Sequence, residues 1–222
     1  MEGDIDGFKN FNQFFIRKLK KEARPVCEAP DLLACPADGR LLAYEKIDCN
    51  RVFLIKDKHF KLTDFIKNRA LAHEYDNGSF ICIRLCPSDY HRFHFPDSGV
   101  ARKPVLINGY YYSVSPIALK RIPGLFCENK RIVTIFDSES FGKILIVEIG
   151  ATCVGSIVQT FKTDERVSKG DEKGYFQFGG SSIVMLFKKG SIKIDDDLLS
   201  NTQKELETLV RMGERIGMVA QE

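Results

Sequence analysis

The feature that most constrains this chain is a succession of short apolar runs, rich in Val, Ile and Phe, separated by turn residues. RLLAYEKI (40–47), RVFLIK (51–56), SFICIRL (79–85), RIVTIF (131–136), KILIVEI (143–149), GSIVQTF (155–161) and SSIVMLF (181–187) are all of this kind. β-Branched and aromatic residues in runs of this length favour strands. Asp76-Asn77-Gly78 and Ser168-Lys169-Gly170-Asp171 are turn signals between them. Helical patterns are strongest at residues 8–21 and 202–215, the second preceded by Asp195, Asp196 and Asp197 as N-terminal acids. A short helix is expected over 62–68, with Thr63 or Asp64 near its start. The expected class is α+β: a mostly antiparallel β barrel or sandwich core with an N-terminal amphipathic helix and a C-terminal helix.

Composition narrows the function. With 222 residues, 44% of them hydrophobic and 28% charged, the chain can build one large domain over 1–222. A net charge of +3 falls short of the clustered basicity of a nucleic-acid binder, so no nucleic acid is expected. Seven cysteines, including Cys82, Cys86 and Cys153, are odd in number and form no Cys-x-x-Cys pair. That pattern points to a reducing compartment and away from a disulfide scaffold or a zinc knuckle. The acidic, polar start MEGDIDGF does not read as a secretory leader. The most apolar stretch, residues 143–158, is interrupted by Glu148, Gly150, Gly155 and Ser156 and reads as strands with a turn.

Residues 8–21 have a sidedness. At about 100° per residue, Phe8, Phe11, Phe15 and Leu19 share one arc, with Lys9, Arg17, Lys20 and Lys21 on the far side. Such a helix either packs its aromatic stripe on its own core or lays it into lipid headgroups while the basic residues meet anionic lipid.

Two constellations can carry chemistry. His91 and His94 lie in Asp89-Tyr90-His91-Arg92-Phe93-His94. The imidazoles would share a face in a helical turn and face apart in an extended segment. A His-Glu-x-x-His zinc pattern is absent, so acid–base work with Asp38 or Asp89 as orienting carboxylate competes with a zinc-peptidase reading. The second constellation is Gly179-Gly180-Ser181-Ser182, placed before a strand-like run. It is either a bulge or turn, or a site where a serine hydroxyl attacks the preceding carbonyl. A further alternative reads VSKGDEKGYFQFGGSS (167–182) as the hairpin of a lipoyl-type carrier module.

In order along the chain, FNQFFIRKLKKEARP (11–25), CPADGRLL (35–42), PSDYHRFHFP (87–96), YYSVSPIAL (111–119), LFCENKRIV (125–133), VEIGATCVGSI (147–157), Gly179-Gly180-Ser181-Ser182 and ETLVRMGERIG (207–217) resemble the motifs of the phosphatidylserine decarboxylase family. Gly179 stands where the family has leucine, and Ser182 where it has threonine. The resemblance implies a proenzyme that cuts itself between Gly180 and Ser181 into a β chain (1–180) and an α chain (181–222). Ser181 would become a pyruvoyl group, and no metal is implied. Asp38, His94 and Ser181 match the self-cleavage triad, and His91 the acid of the later decarboxylation, with Asp89 and Ser182 in support. The implied substrate is a phosphoserine lipid at an anionic membrane surface, on the cytoplasmic face of the cell membrane. Phe8, Phe11, Phe15, Arg17 and Lys20 would then be membrane contacts, and the αβ units would form a homodimer.

Overall fold

The computed structural model describes residues 1–2, 7–55, 58–114, 118, 124–151 and 156–220. Its main antiparallel sheet runs in the order Arg166–Val167, Gly99–Ala101, Arg131–Ser138, Gly142–Gly150, Ser181–Phe187, Ser79–Leu85, Gly39–Tyr44, Thr208–Val210. Val105–Ile107 adds to Arg131–Ser138. The strand Ser181–Phe187 is central, and every one of its residues is buried. That is why it reads as unbroken apolar sequence: both faces of the sheet are covered.

Strand alternation divides the core in two. Ile183, Met185 and Phe187 belong to one apolar cluster, Val184 and Leu186 to the other. The first is completed by Phe93 and Phe176 from a small sheet of Ile157–Gln159, Glu172–Phe176 and Arg92–His94. Leu33, Ile192 and Ile216 join it from a second small sheet of Leu32–Ala34, Arg215–Val219 and Ile192–Ile194. The other cluster is covered by the short helices Leu62–Ile66, Arg69–His73 and Leu125–Glu128 through Phe65, Ile66, Ala72 and Phe126. Full burial of such a side chain stabilises by roughly 1.5–3 kcal/mol.

The α+β class and its antiparallel core agree with the sequence reading. Strands 79–85 and 181–187 coincide with it, and the other expected strands shift at their ends. The turns form as expected, with Asn77 at φ +56° and Gly170 at φ +85°. Residues 152–155, including Cys153 and Gly155, lie outside the described residues, as do parts of 111–119.

Both terminal helices need correction. In place of a helix over 8–21 there is one turn of helix, Phe11–Phe15, capped by the Asn10 side chain, and a 3-10 turn at Lys21–Ala23. The Ile16 carbonyl, which a longer helix would use, accepts instead from Arg92 Nε at 2.8 Å. Tertiary bonding wins here because helix propagation gains little per residue in water. The C-terminal helix is Asp196–Gln203, directly after the aspartates. Residues expected to continue it form the strands Thr208–Val210 and Arg215–Val219. Glu205 at φ +61° breaks the helix. Gly213, at φ +89°, sits where a Cβ would come within 2.4 Å of the Pro25 carbonyl oxygen. The edge of Gly39–Tyr44 then offers Thr208–Val210 a ladder. Among the described residues no helix is long and apolar enough to cross a membrane.

Candidate active site

The Gly-Gly-Ser-Ser segment forms the entry to the central strand. Gly179 has φ +143°, a conformation that a side chain rarely adopts, which accounts for glycine at this position. Gly180 has no such constraint, since a Cβ there would meet only Ala151 Cβ at 3.8 Å. Ser181 lies opposite Gly150 and Leu85, and Ser182 opposite Ile149 and Arg84. The hydroxyls therefore leave the strand on opposite faces. Ser181 shares the side of Ile183, Phe93 and Phe176, and Ser182 that of Val184 and Ile149. Both serines are fully buried, and neither hydroxyl has a hydrogen-bond partner among the described residues. Leaving a buried hydroxyl unpaired costs about 1–3 kcal/mol. The Gly180 carbonyl accepts from the Ala151 N–H at 3.2 Å. A cleft of about 320 Å³ reaches this bond, lined by Arg84, Cys86, Ala151, Phe178, Gly179 and Gly180.

The histidine motif is extended, with Arg92–His94 paired to Glu172–Phe176, so the two imidazoles separate. His91 is fully buried, 3.9 Å between centroids from Phe15 and 6.5 Å from Phe176. Its Nδ1 bonds the Asp89 carbonyl at 3.0 Å. A carbonyl only accepts, so Nδ1 carries the proton and Nε2 is left as the basic nitrogen. Nε2 has no hydrogen-bond partner among the described residues. Burial pushes the His91 pKa down to about 4, and the Gly179 backbone is close enough to pull it slightly back. Near neutrality His91 is therefore an uncharged base beside the Gly179–Gly180 backbone.

His94 is held differently. Its Nδ1 donates to the Gly170 carbonyl at 2.9 Å, and its Nε2 lies 3.4 Å from the Tyr90 hydroxyl. Burial holds its pKa below the usual histidine value, opposed chiefly by the hydrogen bond to Gly170 and by the Glu172 charge. Burial also pushes Tyr90 up to about 12, so that it keeps the proton it offers. Asp38 pairs through both oxygens with Arg24 and accepts from the Met212 N–H at 2.9 Å. No hydrogen bond joins Asp38, His94 and Ser181; Asp38 and His94 each hold other partners. Asp89 Oδ2 accepts from Arg40 and from the Cys86 N–H, both at 2.7 Å, which steadies the turn that carries His91.

The N-terminal aromatics close over this region. Phe15 is buried on His91, which corrects its expected role as a membrane contact. Phe11 is 57% exposed and Phe178 41%, with their rings edge-to-face at 4.9 Å. Phe8 is half-buried, Arg17 stacks over Phe14 at 4.6 Å, and Lys20 is exposed. Sequence reasoning missed Phe178, although an aromatic directly before Gly-Gly is a usable signal. It also missed the fully buried pair Lys173–Glu148 at 2.8 Å. Lys173 Nζ also donates to Thr134 Oγ1 at 3.0 Å and Gln159 Oε1 at 2.7 Å. Burial pushes Glu148 up and Lys173 down, and each partner opposes the other's shift. The signal was a carboxylate inside the apolar run KILIVEI, which requires a partner once buried.

Comparison with known proteins places the chain in a family. The family pattern described as phosphatidylserine decarboxylase matches residues 11–218. A phosphatidylserine decarboxylase proenzyme of Clostridium botulinum (strain Langeland) is 55% identical over 216 residues, 97% of this chain and 73% of that protein. Proteins of the same name are 52% identical in Clostridium perfringens (strain ATCC 13124), over 96% of this chain and 73% of theirs, and in Clostridium novyi (strain NT), over 95% and 71%. The chain belongs to the phosphatidylserine decarboxylase family.

Proposed function

We propose that this chain is a proenzyme that cuts its own backbone between Gly180 and Ser181, and that residue 181 becomes the pyruvoyl group of the mature enzyme. The reaction of the family, and of this chain as a member, is pyruvoyl-dependent decarboxylation of phosphatidylserine after self-cleavage. The observation that carries the site assignment is the unpartnered, fully buried Ser181 hydroxyl adjoining a carbonyl that is already hydrogen-bonded. The products of cleavage are a β chain of residues 1–180 and an α chain of residues 181–222.

The surroundings fit a pyruvoyl group at position 181: an apolar face, a neutral imidazole beside the segment, and a cleft that reaches the bond. When present, the pyruvoyl supplies a carbonyl that captures the substrate amine and draws in electrons as carbon dioxide leaves. The chain's own residues do the rest. Arg84 lies on the cleft wall, its guanidinium paired with Glu207 through Nε at 2.9 Å and through Nη2, so an anionic headgroup would have to share it with that carboxylate. His91 holds or moves a proton at Nε2 for the second phase of the chemistry.

For the first phase the motif resemblance implies His94 and Asp38. To take the Ser181 proton, His94 Nε2 must exchange the Tyr90 hydroxyl for that of Ser181, and Asp38 must share its bonds with Arg24. A second reading, favoured by the free Nε2 of His91, gives that imidazole the cleavage step as well. Phe11, Phe178 and Lys20 form the surface that meets the lipid headgroups, with the substrate entering from an anionic membrane.

Intact mass measurement of denatured, purified protein tests the cleavage reading. Two chains are expected, the smaller starting at position 181 with a carbonyl in place of its amine. A single chain from an active preparation would overturn it.

A further inference from the structure

We propose that the Gly150–Ala151 peptide is the oxyanion donor of self-cleavage and that Asn129 is the positioning residue that holds it. This rests on the cleavage reading above and adds the group that receives the charge. When Ser181 Oγ bonds to the Gly180 carbonyl carbon, the hydroxyl proton leaves to a base and the carbonyl oxygen becomes an oxyanion. The C–N bond then breaks and the nitrogen takes up a proton, leaving an ester between Gly180 and the Ser181 side chain. Loss of the Ser181 Cα proton breaks the Cβ–Oγ bond and releases Gly180 as a carboxylate. Water converts the remaining dehydroalanine to pyruvoyl and ammonia. The first step places a full negative charge on the Gly180 carbonyl oxygen, and a donor already aimed at that oxygen lowers its barrier.

The Ala151 N–H is such a donor, 3.2 Å from the Gly180 oxygen. It is the terminal rung of the ladder in which Gly150 faces Ser181. No other backbone or side-chain hydrogen bond to that oxygen occurs among the described residues. At 3.2 Å the bond is longer than the usual length of about 2.9–3.0 Å, so it can shorten as charge develops.

The other end of the same peptide is also held. The Gly150 carbonyl accepts from Asn129 Nδ2 at 3.0 Å. A continuous chain therefore runs from the Asn129 amide, through the Gly150–Ala151 peptide, to the bond that is cut. Donation to a peptide oxygen draws charge from its nitrogen and strengthens the N–H as a donor, by roughly 10–30% per bond. Asn129 is fully buried and cannot turn away. Its Nδ2 also donates to the Tyr112 carbonyl at 2.8 Å, its Oδ1 accepts the Tyr112 N–H at 2.9 Å, and its own carbonyl accepts from Arg131 Nη1 at 2.6 Å. The Gly150 N–H is tied to the Lys130 carbonyl at 2.9 Å. Both polar groups of the Gly150–Ala151 peptide are thus held, its carbonyl by Asn129 and its N–H by the Gly180 oxygen.

Time-resolved intact mass of the full chain made by cell-free translation tests this. Replacing Ala151 by lactic acid deletes the N–H and leaves the Gly150 carbonyl a weaker acceptor for Asn129, and cleavage should slow roughly a hundredfold to a thousandfold. Asn129→Asp keeps the acceptor for the Tyr112 N–H but loses both donors, and should slow cleavage at least about tenfold. Melting is measured with the same changes in a Ser181→Ala chain, where values within a few degrees of Ser181→Ala alone are expected. Hydroxylamine cleaves esters, so it is applied to Asn129→Asp alone, where it should not speed cutting between residues 180 and 181 because the ester there forms slowly. The lactic acid chain, which carries its own ester between residues 150 and 151, is followed without it. Lactic acid at position 151 with wild-type cleavage, rapid hydroxylamine cutting of Asn129→Asp between residues 180 and 181, or slowing matched by lost folding would each overturn the proposal. Cutting of Ser181→Ala itself would instead overturn the cleavage reading on which it stands.

Discussion

Ser181 and Ser182 are neighbours of the same type, equally buried and equally without hydrogen-bond partners among the described residues, yet they face opposite halves of the molecule. The Ser181 half contains the histidine-bearing sheet and, on a strand of the main sheet, the Glu148 carboxylate paired with Lys173. The Ser182 half is packed by Val184, Ile149, Phe65 and Phe126 under short helices. The contrast teaches that strand parity alone gives two adjacent, identical residues different chemical surroundings. On the proposed reading Ser181, which projects toward the half with the acid–base groups, is the serine that reacts, and Ser182 faces the apolar half.

Exchanging the serines in turn is the most direct way to break this comparison. Ser181→Ala should leave one uncut chain. Ser182→Ala should be cut normally and melt no lower than wild type, because it removes an unpaired buried hydroxyl. Cleavage of the first and not the second, read by mass, would reverse the assignment of faces.

The histidines sharpen it next. His94→Ala and Asp38→Ala should slow cutting by orders of magnitude. His91→Ala should be cut but lose at least about a hundredfold in ethanolamine-lipid product, measured on the same sample. An uncut His91→Ala chain would favour the second reading, in which the free Nε2 serves both steps.

The buried ion pair tests whether the polar half is also the more fragile. Glu148→Leu in a Ser181→Ala chain leaves the Lys173 charge unpaired and should cost on the order of 3–5 kcal/mol in urea unfolding. Changing Lys173→Met as well should restore most of that loss. A Glu148→Leu chain as stable as its parent would show the pair to be energetically idle.

Acid should act through the same half. An unfolded histidine takes a proton near pH 6.5, while folded His91 does so only near pH 4. The folded state thus binds fewer protons in that window, so this contribution is full above pH 6.5 and is lost as pH falls toward 4. It amounts to about 3 kcal/mol at most. His91→Gln should flatten the fall, leaving the part due to His94, whose pKa is also lowered. An unchanged pH profile would remove His91 as its source.

The smallest effect is expected at the surface. Phe11→Ser with Phe178→Ser should weaken sedimentation with anionic vesicles several-fold while leaving cleavage intact. Equal binding by the double variant would return these rings to a purely structural role.

Much of this molecule was legible in the order of its residues. Unbroken apolar runs such as SSIVMLF and alternating ones such as RLLAYEKI determined strands, because backbone period and burial leave few other solutions for them. The motif order likewise determined the family, and with it the chemistry that Gly180 and Ser181 can perform. Local pattern failed at the two ends. Residues 8–21 and 202–215 carry helical spacing, but Arg92 takes the Ile16 carbonyl and the sheet edge at Gly39–Tyr44 takes Thr208–Val210. Such partners lie far away along the chain and leave no mark in a local window. The site divides in the same way. Sequence named His91, His94, Asp38 and Ser181, since reactive groups are visible as residue types. Only the tertiary structure decided that His91 keeps a bare Nε2 beside the Gly179 backbone, that His94 rests on Gly170 and Tyr90, and that Asp38 is held by Arg24. Hydrogen-bond partners and strand faces are set by the global packing of the sheets, and that packing is a property of the whole chain.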